Sequence, residues 1–145
     1  MAFLKSMDIA ASGLTAQRMR MDVIADNVAN MNTTRTATGE PYRRRFVIME
    51  EKQITSFADR LSGAINKRSG DGVDVSEIMT DESPFRMDYN PDHPDADANG
   101  YVRMPNVEYV TEMVDLMSAT RSYEANVTAI NAFKSMALKA LEIGV

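Results

Sequence analysis

Apolar residues recur every seven positions at both ends of this chain, and that repeat limits the folds open to it more than any single motif. From Phe3 to Met31, one line of the repeat reads Met7, Leu14, Met21, Val28. The other reads Phe3, Ala10, Gln17, Ile24, Met31, in which only Gln17 is polar. From Tyr109 to Leu141, alternating steps of four and three pick out Tyr109, Met113, Leu116, Thr120, Tyr123, Val127, Ile130, Lys134, Ala137 and Leu141. Such spacing puts side chains on one helix face and fits a coiled-coil seam. Neither helix can cover its stripe alone. The near partner is the other end of the chain, and the next is a second copy or a relative of it.

Between the helices the pattern changes. The first helix is expected from about residue 3 to 31, with Gly13 marking a bend or a close helix approach. Turn formers from Asn30 to Pro41 then break the repeat. Tyr42 to Glu51 reads as a strand, and so does the alternation from Val73 to Ile78. Pro84 to Tyr89 reads as another extended segment. Ile54, Phe57, Ala58, Leu61 and Ile65 have the spacing of a short amphipathic helix. The run from Asn90 to Gly100 holds two prolines and cannot be regular. A second helix starts near Pro105 or Asn106, where proline is tolerated, and ends at Gly144. The expected fold is mainly α: long terminal helices packing as a coiled coil around a small β-rich central insert. Its parts are residues 1–33, 34–104 and 105–145, with a segment at 52–70 expected to be flexible.

Composition excludes several functions. The 145 residues suit one domain, and a net charge of −5 argues against nucleic acid as a partner. Without cysteine there are no disulfides, catalytic thiols or thiolate metal sites. No segment approaches the roughly 20 apolar residues of a membrane span. The first residues lack a basic region followed by an apolar block, so no cleavable secretory signal is expected.

The sharpest chemical motif lies in DADANGYVRMPN. Asp95, Asp97, Asn99 and Gly100 fit the first half of a calcium loop, and Val102 supplies its apolar position. The match stops at the twelfth position, where Asn106 replaces the bidentate Glu, and Pro91 and Pro94 forbid an entering helix. An Asx-rich turn is the simpler reading. His93 is the only histidine and has no spaced metal-binding partner, so a solvated loop residue is expected. No nucleophile motif is present, and neither an enzyme nor a cofactor is expected. Arg43, Arg44 and Arg45 follow Tyr42, and strand alternation puts Arg44 on the opposite face from its neighbours. They form a solvated sheet surface, pair with acidic loops of the same chain, or meet an acidic neighbouring subunit. Asn27 and Asn30 share a helix face beside the seam. They either cap a frayed helix end or bond backbone groups of an adjacent element and fix register. The 12 methionines serve as core filler or as adaptable packing against several neighbours.

At IADNVANMNTTRT, residues 24–36, the chain resembles the N-terminal signature of the flagellar rod and hook axial-protein family. Residues 83–107, SPFRMDYNPDHPDADANGYVRMPNV, and residues 112–144 resemble the middle block and C-terminal helix of its proximal-rod members. Many relatives carry N-T-P-G-Y after the asparagine cluster. Here Asn32 is followed by Thr33, Thr34 and Arg35, which favours the proximal-rod branch. The blocks are separate, in order, and cover most of the chain, although residues 52–70 match none. The resemblance implies a structural subunit of the proximal rod of the bacterial flagellar basal body. Such subunits leave the cell unfolded through the flagellar type III apparatus and polymerise in the periplasm through their terminal helices. They transmit torque from the motor to hook and filament. The implied partners are other rod proteins, copies of itself, a rod-base adaptor and the export apparatus. Residues expected at subunit interfaces are Met7, Leu14, Met21, Ile24, Asn27, Val28, Asn30 and Met31 on the first helix. On the second they are Met113, Leu116, Tyr123, Asn126, Val127, Ile130 and Leu141.

Overall fold

In a computed structural model, residues 2–52 and 72–143 are described. Helix α1 spans Ala2–Ala29 and helix α2 spans Tyr109–Ile143. At 1.5 Å per residue they are about 42 and 52 Å long. They lie antiparallel, because Asn27 meets Glu112, Arg20 meets Asp115, Met21 meets Thr120 and Gly13 meets Asn126. This pairing carries the last turns of α2 beyond the start of α1. Leu138 and Leu141 accordingly stand in solvent.

The insert is two separate antiparallel hairpins. Strand β1, Arg45–Glu51, pairs with β2, Val73–Thr80. A bulge after Ile48 leaves Ser76 as the extra residue on β2. This hairpin lies along α1, with its two ends tied at Asn27 and Ser12. The Asn27 amide brackets the Arg45 backbone at one end, and the Ser12 hydroxyl accepts the Val73 N–H at 3.1 Å at the other. Seven strand residues and fifteen helical steps both span about 22 Å, so hairpin and helix run in step. Strand β3, Arg86–Tyr89, pairs with β4, Tyr101–Met104. Its two tyrosines meet edge to face across the strands at 5.2 Å.

The three expected extended segments are strands, with shifted ends: β1 starts at Arg45 rather than Tyr42, β2 runs to Thr80 rather than Ile78, and β3 starts at Arg86 rather than Pro84. Two helix boundaries differ from the sequence pattern as well. Helix α1 ends at Ala29 rather than Met31, because the Asn30 amide donates back to the Asp26 carbonyl and closes the last turn. Helix α2 begins at Tyr109, not at Pro105. Pro105 and Val107 are instead buried, and Asn106 is committed to the insert: its side-chain oxygen accepts the Arg44 N–H at 2.8 Å and its amide donates to the Asp81 carbonyl at 3.1 Å. Strand β4 was hidden from pattern reading by the calcium-like motif that runs into it. The helical spacing noted from Ile54 to Ile65 lies outside the described residues.

The core is thin. Its buried apolar residues are Ala10, Ala16, Val23, Ile24, Val102, Val107 and Ala119, mostly small side chains. Gly13 belongs to a close approach of the helices: a Cβ there would meet the Asn126 amide at 2.9 Å. Meanwhile Val110, Val114 and Met117 stand more than half exposed along α2. Apolar side chains left in a row on one helix mark a surface built for a partner.

Candidate subunit interface

Beneath the helix pair sits a polar hub. Asn27 is fully buried, and every hydrogen-bonding group of its amide is used. Its Nδ2 donates to the Arg45 carbonyl at 2.8 Å and to the Glu112 carboxylate at 3.0 Å. Its Oδ1 accepts the Arg45 N–H at 2.9 Å and the Tyr42 hydroxyl at 3.0 Å. Glu112 is also fully buried, and its other oxygen takes the Arg44 Nε–H at 2.6 Å. Arg44 reaches on to Asp115 at 3.3 Å, and Arg20 meets Asp115 from α1 at 3.1 Å. Three elements thus meet at one charge-assisted cluster: the end of α1, the entry to β1 and the first turn of α2.

The alternation of the arginine run explains this division. Arg44 points into the hub, while Arg43 stacks on the Phe85 ring at 4.2 Å and Arg45 lies over Tyr42 and pairs with Asp26 at 3.1 Å. Carboxylates of the same chain meet Arg44 and Arg45, but they stand on the two helices and not in the acidic loops. Asn27 bonds backbone of an adjacent element, the register-fixing reading. Asn30 takes the simpler one and caps its own helix. Nearby, the Asp81 carboxyl is held below its ordinary range by hydrogen bonds from the Ser83 hydroxyl and backbone. That contribution is present above the unfolded pKa of Asp81 and is lost as pH falls through the lowered folded value.

The seam between the helices runs beside one of the two lines that apolar periodicity draws on α1, the one through Ala10, Gln17 and Ile24, of which Ala10 and Ile24 are buried. On α1 its contacts come from Gly13, Arg20 and Asn27, one heptad apart, beside Ala10, Gln17 and Ile24. On α2 they come from Glu112, Ala119 and Asn126, again one heptad apart and one residue earlier than Met113, Thr120 and Val127. A search for apolar residues cannot find lines made of Gly, Arg, Asn, Glu and Ala. The line Met7, Leu14, Met21, Val28 is half-buried throughout, and its Met21 sulfur accepts the Thr120 hydroxyl of α2 at 3.6 Å. Asn30 and Met31 are half-buried as well, whereas Ile24 and Asn27 are buried within the chain. On α2, Met113, Leu116, Tyr123, Asn126, Val127 and Ile130 are half-buried and Leu141 is exposed. Gln17 Oε1 is buried with no hydrogen-bond partner among the described residues. Gln17→Leu should remove that unmet acceptor and raise stability by about 1 kcal/mol in urea titration.

The turn from Asn90 to Gly100 uses its carboxylates internally. Asp97 Oδ1 accepts the N–H groups of Asn99 at 2.8 Å and Tyr101 at 3.0 Å, as an Asx turn does. Asp95 accepts the Thr34 hydroxyl at 2.8 Å, and His93 Nδ1 accepts the Asp95 N–H at 3.1 Å. Among the described residues, no three His, Cys, Asp or Glu side chains converge as metal ligands would. No helix there is long and apolar enough to cross a membrane.

Paired terminal helices around a small hairpin insert, with apolar helix faces left open, describe a subunit made to pack with others. Comparison with known proteins gives that class a name. Residues 7–35 match the family model described as "Flagella basal body rod protein". Residues 98–143 match the one described as "Flagellar basal body rod FlgEFG protein C-terminal". Among similar proteins, the flagellar basal-body rod protein FlgC of Bacillus subtilis is 53% identical, with 99% of each chain covered. FlgC of Borreliella burgdorferi is 44% identical over 99% of this chain and 98% of its own. FlgC of an Escherichia coli strain is 43% identical over 99% of both. The chain belongs to the FlgC family of flagellar basal-body rod proteins.

Proposed function

We propose that this chain is a structural subunit of the proximal rod of the flagellar basal body, holding its place through its terminal helices and passing torque toward hook and filament. The observation that carries the reading is the end-to-end likeness to FlgC proteins, which covers 99% of this chain. Residues 1–33 and 105–145 act as the polymerising helices and 34–104 as the outward insert. The half-buried residues supply the packing surface: Met7, Leu14, Met21 and Val28 with Asn30 and Met31 on α1, and Met113, Leu116, Tyr123, Asn126, Val127 and Ile130 on α2, extended by the exposed Leu141. Ile24, Asn27 and the hub hold that surface in shape from beneath. The helices pack as a coiled coil in the assembled state. Its neighbours are other rod proteins, copies of itself and a rod-base adaptor. Delivery through the type III export apparatus to the periplasm suits a thin, alanine-rich core, since a marginal fold passes a narrow channel and orders on binding.

Mass spectrometry of purified hook–basal bodies from the source bacterium tests the assignment, with this chain expected at several copies per particle and resistant to washing. Its absence from intact basal bodies would overturn it. A null strain complemented with Met21→Asp/Val28→Asp is expected to stay non-motile on soft agar. Normal swimming would remove this line of α1 from the packing surface.

A further inference from the structure

Each helix carries a second heptad line on the side turned away from its partner. On α1 it runs from Asp8 to Ala29 in alternating steps of three and four, and every position in it is exposed. On α2 it runs from Val110 to Leu138 on the same steps, again exposed throughout. The α2 line begins apolar, with Val110, Val114 and Met117 at 66%, 56% and 54% exposure. The α1 line ends small, in Ala25 and Ala29.

The two lines fit each other in one antiparallel register. Setting Asp22 opposite Arg121 also brings Arg18 opposite Glu124. None of these four makes an ion pair among the described residues. The same register sets Ala25 against Met117 and Ala29 against Val114, small residue against large. Sliding one heptad in one direction places Asp8 against Glu142, like charges together. Sliding the other way places Asp22 against Val114, a charge against an apolar side chain. Both slides lose both ion pairs.

We infer that the outer face of α1 in one copy docks antiparallel on the outer face of α2 in a second copy, in this register. The contact cannot form within one chain, because the outer faces of a packed helix pair stand roughly two helix diameters, about 20 Å, apart. It is heterologous, so each copy keeps one face of each kind free. Contacts of that type propagate into a ring or an open helical array. The inference rests on the rod-subunit reading for a second copy being adjacent in the cell. An α1-to-α1 contact is the main competitor, since Arg18 and Asp22 can pair reciprocally about a two-fold axis. It would close at a dimer and leave Val114 and Met117 in water.

The chain has no cysteine, so engineered thiols report without background. Full-length Ala25→Cys and Met117→Cys chains are co-expressed in the source bacterium, and disulfides are scored in isolated basal bodies and in purified mixtures. A disulfide needs Cα atoms within about 7 Å, which the register supplies. Mixed chains are expected to cross-link about tenfold more than either alone. Adding Asp22→Arg to the Ala25→Cys chain should abolish the gain, and Arg121→Asp in the other chain should restore it. Basal bodies containing both variants without a mixed cross-link would overturn the inference. So would equal cross-linking of Ala25→Cys chains alone. If neither the variants nor the unsubstituted chain enters basal bodies, the rod assignment fails, and the purified mixture still decides the contact.

Discussion

Arg44→Met is expected to lower the stability of the folded chain by about 3–5 kcal/mol, read from the midpoint of urea unfolding at neutral pH. The loss is large because of what stays behind. Glu112 is fully buried and keeps only the Asn27 amide as a partner once the guanidinium is gone. Stranding a buried carboxylate costs more than the pair contributes when intact, since desolvation is no longer offset. Arg44→Met/Glu112→Leu should therefore recover part of the loss, even though two charged groups have been removed. Full recovery is not expected: the Asn27 amide then lacks an acceptor, which costs about 1–3 kcal/mol. If Arg44→Met alone costs under about 1 kcal/mol, the cluster is a solvated surface pair and holds nothing together.

That hub shows what sequence reading can and cannot reach. The two long helices were legible because period-seven apolar lines have few other meanings, and the strands were legible from alternation. Asn27 was legible as an oddity, an amide beside a helix seam with two open explanations. Its partners were not. Glu112 and Arg44 lie far from it in sequence, and nothing local marks Glu112 as buried rather than as an ordinary charge in a first helical turn. The seam was legible only in part. Apolar residues score as core, so two lines were drawn, one through Met7, Leu14, Met21 and Val28 and one through Phe3, Ala10, Gln17, Ile24 and Met31. Ala10 and Ile24 are buried, but beside them the contacts run through Gly13, Arg20 and Asn27, where small size and charge pairing do the packing and apolar periodicity has no mark. The large apolar side chains are then left half-buried on α1 and exposed on the outer face of α2, the positions a neighbour can use. Strand β4 was lost in the opposite way: a calcium-like motif drew attention to ligands, while its Asp97 was closing the turn that starts the strand.

Gly72→Ala is the second substitution expected to act strongly, at about 2–4 kcal/mol in the same titration. Gly72 opens β2 at a φ of +116°, a conformation that residues with a Cβ adopt only under strain. The added methyl would also collide with the Ser12 side chain on α1, its hydroxyl above all, while the Ile9 Cα at 3.5 Å is in ordinary contact. These two causes can be separated. Ser12→Ala removes the hydroxyl and costs about 1 kcal/mol on its own, because the Val73 N–H loses its acceptor. In the Gly72→Ala/Ser12→Ala double variant the hydroxyl collision is relieved, leaving a tight 3.2 Å approach to the Cβ of residue 12 and the backbone strain, about 1–3 kcal/mol. The double variant should thus be less damaged than the two single losses added together. Strict additivity would mean that the hairpin lifts off α1 to accommodate the methyl. In that case the tie between Ser12 and Val73 does not fix the hairpin, and Asn27 alone sets how the insert projects from the helix pair.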